Sequence, residues 1–105
     1  MTGRDPASIS ETTVPARSPS TFVVELEGEA VVLDETANRL HLLNHTATLV
    51  WNCLDGSVDV RGLAGEIAEV LELPYERVLT ETIAVVRDLG SQGLLDGYAA
   101  TVEEP

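Results

Sequence analysis

Three short β-type runs, residues 22–26, 30–34 and 39–43, are separated only by Glu27-Gly28-Glu29 and Glu35-Thr36-Ala37-Asn38. Gly28 supplies the positive φ that a tight hairpin wants. Successive runs joined by turns this short make an antiparallel meander in the order one, two, three, with the third strand at an edge. This spacing constrains the chain more than any other feature, because the rest of the chain must pack on one small sheet.

The remainder reads as three helices. Asn44 is a good N-cap for a first helix over 46–54, stopped at Asp55-Gly56, with Leu49, Val50, Cys53 and Leu54 on one face and Trp51 to its side. Asp59 caps a second helix, in which Leu63, Ile67, Val70 and Leu71 recur at helical spacing. Leu73-Pro74 ends it, and Pro74 suits the first turn of a third helix that runs to about Leu89 or Gly90. Gly93-Leu94-Leu95 closes the domain as an extended piece. The expected fold is α+β: a small winged-helix-like domain, with a three-stranded antiparallel sheet followed by a three-helix bundle. Residues 22–98 form the domain. Residues 1–21, rich in Ser, Thr and Pro, are expected to be a disordered tail, and residues 99–105 a second, acidic one.

Composition removes several function classes. Six Lys+Arg, all of them arginine, face 18 Asp+Glu, a formal charge of −12. Such a field repels polyanions, and the third helix carries Arg77 and Arg87 against Glu76, Glu81 and Asp88, so neither nucleic acid nor an anionic membrane is an expected partner. No apolar run is long enough to cross a bilayer, and residues 1–20 lack the apolar stretch of a secretory signal. The single Cys53 excludes an intrachain disulfide. A cytoplasmic setting is expected.

No catalytic constellation is legible. His41 and His45 straddle a strand end and a helix start, with no second thiol beside Cys53, so no metal site is expected. Cys53 lies on an apolar helix face, where cysteine is ordinarily a small core residue. The glutamates at 25, 27, 29, 66 and 69 read as solvated faces, and no phosphate-loop, dinucleotide or nucleophile-elbow motif is present. No catalytic residue, metal or cofactor is therefore expected, and the chain is read as a non-enzyme.

Two elements carry more apolar surface than one core requires. On the third helix Val85, Val78, Leu89, Thr82, Tyr75, Val86, Leu79 and Ile83 spread over an arc of about 160°, wider than a single-core stripe. On the third strand Leu40 and Leu42 alternate with Arg39, His41 and Leu43, so both faces are apolar. An unpaired strand edge beside an apolar helix is a receptor for an extended peptide. The competing reading puts Leu40 and Leu42 in the core and makes the third helix simply central.

Residues 31–95 resemble the PqqD-like family, also called RiPP recognition elements. The resemblance rests on Leu43-Asn44-His45-Thr46-Ala47 at the strand-to-helix step, Trp51, the stop Leu54-Asp55-Gly56, apolar Leu63 and Ile67, then Glu81, Leu89 and Gly93-Leu94-Leu95. Many members carry a small residue or Pro where this chain has His45. The resemblance implies a peptide chaperone that holds the leader region of a ribosomally made precursor peptide as an added strand between the third strand and third helix. It would present that leader to a maturation enzyme such as a radical SAM enzyme or a peptide protease or cyclase. On this reading the backbone of Arg39, Leu40, His41 and Leu42 pairs with the leader. Leu79, Ile83 and Val86 hold its apolar side chains, and Arg87 meets an acidic group. The alternative is a winged-helix regulatory or protein-interaction domain with no leader peptide.

Overall fold

The computed structural model describes residues 3–98. The acidic tail expected at 99–105 lies outside the described residues. Strands β1 (Thr21–Leu26), β2 (Glu29–Asp34) and β3 (Arg39–Leu43) form one antiparallel sheet in the order β1-β2-β3, followed by α1 (His45–Asn52), α2 (Val60–Leu71) and α3 (Tyr75–Ser91). The β1–β2 turn places Glu27 at φ 54° and Gly28 at φ 83°, two consecutive positive values of the kind that match hairpin twist. A Cβ on Gly28 would lie 3.2 Å from Nδ1 of the exposed His45 ring, a contact that ring can relieve, so the positive φ is what favours glycine here.

The inner sheet face is set by register. Ala30, Val32 and Asp34 of β2 stand opposite Leu43, His41 and Arg39 of β3. Ala30, Val32 and Leu43 join Val50, Trp51, Leu63, Val86 and Leu89 in the core. Thr48 of α1 locks this corner: its hydroxyl accepts from Ala30 N (3.0 Å) and donates to the Leu43 carbonyl (3.3 Å). Caps stand where expected, Asn44 accepting from Ala47 N (2.8 Å) and Asp59 from Gly62 N (2.9 Å). The apolar stripes differ in detail. Val70 is exposed, Cys53 only half-buried, and Trp51, expected beside the α1 stripe, is buried at its centre.

Of the segment expected as a disordered tail, 1–21, the described residues begin at 3, and Thr21 already opens β1. Residues 3–20 form a strap across the helices. Ile9 and Pro15 are fully buried and Pro6 is buried in a 3-10 turn, Pro6–Ser8, against α3. Most of the fastening is by backbone. The carbonyls of Thr13 and Glu11 accept from Val60 N (2.9 Å) and Arg61 N (3.0 Å), satisfying first-turn amides of α2 that have no partner within the helix. Further along, Ser18 N donates to Leu94 O (2.9 Å), and Gly56 N to Pro15 O (3.1 Å). Composition misleads here because it weighs side chains, whereas a polar segment can dock through its main chain and a few buried anchors.

Candidate peptide-binding groove

β3 is an edge strand: among the described residues it pairs with β2 alone. Beside its end lies an open groove of about 470 Å3. Leu42, Leu43 and the strand-to-helix corner of Asn44, Thr46 and Ala47 form one wall; Glu81, Ala84, Val85, Asp88, Leu89 and Gln92 of α3 form the other. The positions on α3 recur at spacings of three and four, one face of the helix.

A polar strut closes the end of this groove at the C-terminus of α3. His41 Nδ1 lies 2.6 Å from Gln92 Oε1, and Gln92 Nε2 donates to Asp88 Oδ2 at 2.7 Å. With the amide in that orientation Oε1 can only accept, so Nδ1 of His41 carries the proton. The strut links β3 to the C-terminal end of α3.

Of the expected site residues, the structure brings the Arg39–Leu42 stretch to the open edge. The side chains differ from expectation. Leu40 and Leu42 do not enter the core: they are 70% and 83% exposed on the outer sheet face. Phe22, Leu33 and Leu40 make one cross-strand row there, and Val24, Val31 and Leu42 the next. Leu43, and not Leu40 or Leu42, is the core residue of β3, because strand alternation turns 39, 41 and 43 inward.

The α3 residues expected at the site lie elsewhere on the helix. None of Leu79, Ile83, Val86 or Arg87 lines the groove. Val86 is fully buried, and Leu79 and Ile83 are half-buried against the core. Arg87 is turned to the strap, its Nε donating to the Ile9 carbonyl at 2.9 Å. The helical wheel identifies a wide apolar face but not which edge of it meets the sheet. The strap, unforeseen from composition, covers the side holding Arg87 and Gly90. A Cβ on Gly90 would lie 3.2 Å from both Ile9 and Pro6. The α3 groove residues missed are Glu81, Ala84, Val85, Asp88, Leu89 and Gln92; the i, i+4, i+7 set of Glu81, Val85 and Asp88 is the signal that could have found them.

Among the described residues no group of three or more His, Cys, Asp or Glu is placed to hold one metal ion, and no helix is long and apolar enough to cross a membrane. The Cys53 thiol is pushed above its ordinary value by burial first, then by the carboxylates of Glu66 and Asp55.

A three-stranded meander under three helices, with a free edge strand along a helix-walled groove, defines a class of small α+β domains. Residues 29–95 match the family model described as coenzyme PQQ synthesis protein D (PqqD), and the chain belongs to that family. Solved structures share the fold. A PqqD truncation from Methylobacterium extorquens PqqCD, described as a stand-alone RiPP recognition element, is 18% identical with a TM-score of 0.74, covering 89% of this chain and 99% of its own. TbiB1 in complex with the TbiA(beta) leader peptide is 19% identical with a TM-score of 0.71, covering 80% and 98%. Lasso peptide synthetase B1 complexed with the leader peptide is 20% identical with a TM-score of 0.69, covering 79% and 98%. No curated protein sequence matches the chain.

Proposed function

We propose that this chain is a non-catalytic carrier of a leader peptide. The leader joins the sheet as a fourth strand on β3, lays alternate side chains into the groove against α3, and is offered to the enzyme that modifies the peptide. The observation that carries this reading is the free β3 edge bordering an open groove. Main-chain groups supply affinity and the groove supplies selection. Family membership agrees with it, as do two structural neighbours described as leader-peptide complexes. The apolar part of the lining, Leu42, Leu43, Ala47, Ala84, Val85 and Leu89, suits the holding of peptide side chains.

The site in this proposal is the edge of Arg39–Leu43 together with Ala47, Glu81, Ala84, Val85 and Asp88. The test is an NMR titration of the labelled full chain with the leader of a short precursor peptide encoded beside its gene. Shifts are expected along β3 and at residues 81–92 of α3. Tight binding with shifts confined to α2 overturns strand addition.

A further inference from the structure

The groove is chemically asymmetric. Its centre is apolar and shallow-walled, with Ala47 on one side and Ala84 and Val85 on the other, which leaves room for a large side chain. Its α3 wall has a carboxylate toward each end, Glu81 and Asp88, both exposed. Neither arginine of α3 offsets them for a ligand. Arg87 points to the strap, and Arg77 makes only an exposed pair with Glu81 at 3.4 Å, which an incoming cation can replace at little cost. The chain as a whole, at −12, carries the same sign of field.

We infer that the groove selects a cationic leader segment: a large apolar residue flanked on each side, two positions away, by Lys or Arg. This inference rests on the strand-addition reading and deepens it. It reverses the acidic leader group expected from Arg87. The spacing follows from geometry. Glu81 and Asp88 are seven residues apart on one helix face, about 10.5 Å along the axis. In an added strand, side chains on one face recur every second residue, so the two flanking positions are about 13 Å apart. The long, flexible stems of Lys and Arg absorb the difference. An acidic leader would have to desolvate carboxylates against carboxylates.

The test uses a phage-displayed library of random peptides, selected at low salt on the immobilised full chain and, in parallel, on the exposed-site variant Glu81→Gln/Asp88→Asn. Selected sequences are then made as peptides and mapped by NMR. The wild type is expected to enrich Lys or Arg at the two flanking positions around an apolar residue. The variant should keep the apolar preference and lose the basic one. Wild-type-selected peptides should bind the variant about three- to tenfold more weakly, with affinity on the wild type falling as salt rises. Peptides that map to β3 and the groove with no basic enrichment, or with an acidic one, overturn the charge selection and leave strand addition standing. Peptides that map elsewhere, or no selection at all, overturn both.

Discussion

Ile9 is the sharpest place to test the strap. In a solvated tail its truncation costs nothing measurable, since exposed substitutions stay within about 0.5 kcal/mol. In the structure Ile9 is fully buried, its Cδ1 lies close over Gly90, and its carbonyl accepts from Arg87. Ile9→Ala removes three buried carbons where the α3 backbone cannot close the gap, which places the cost in the range of about 2–5 kcal/mol for such truncations. For a domain near 100 residues that lowers Tm by roughly 10–20 °C at the lower half of the range. The assay is urea unfolding followed by the fluorescence of Trp51, the single tryptophan and a buried one, so its signal reports the core. Val14→Ala, in the same segment but half-exposed, is the control and should be near neutral. Equal, negligible effects of the two substitutions would refute the packed strap.

Thr48→Val keeps the shape but strands the buried Ala30 amide, and should cost about 1–3 kcal/mol in chemical denaturation, with Thr48→Ser largely retaining stability. Proline placed in turn at residues 39–42 should alternate in effect. Positions whose amide pairs with β2 lose stability, whereas those facing the open edge keep their Tm and lose peptide binding; a uniform response argues against an added strand. Because burial and nearby carboxylates raise the Cys53 thiol, its alkylation at neutral pH should be slower than that of a free thiol, and should accelerate only at more alkaline pH. Since the folded chain holds this proton more tightly than the unfolded one, the associated stability is present below the ordinary thiol range and declines as pH rises through and above it. Rapid alkylation at neutral pH would contradict the placement of Cys53.

Local chemistry was enough to read the architecture. The turns at Gly28 and Asn38, the caps Asn44 and Asp59, and the break at Leu73-Pro74 act within a few residues, so strand and helix order, and the status of β3 as an edge, were legible from the chain. Of the surplus apolar residues, Leu40 and Leu42 stand on the outer sheet face, where only Leu42 borders the groove, and Leu79 and Ile83 pack against the core. Which residues face that groove was not legible. A helical wheel gives relative angles around one axis, and the sheet, the α1 corner and the strap together determine which sector stays open. They buried Val86, turned Arg87 to the Ile9 carbonyl and left Ala84, Val85, Glu81 and Asp88 along the opening. The strap itself escaped for the same reason: its hold on α2 is through the carbonyls of Glu11 and Thr13, and main-chain pairing between distant segments leaves no mark in composition. Residue order alone was sufficient for the elements and for the sign of the charge. Where the acidic groups stand relative to the free edge came from packing, because that relation joins residues some forty positions apart that share no local signal.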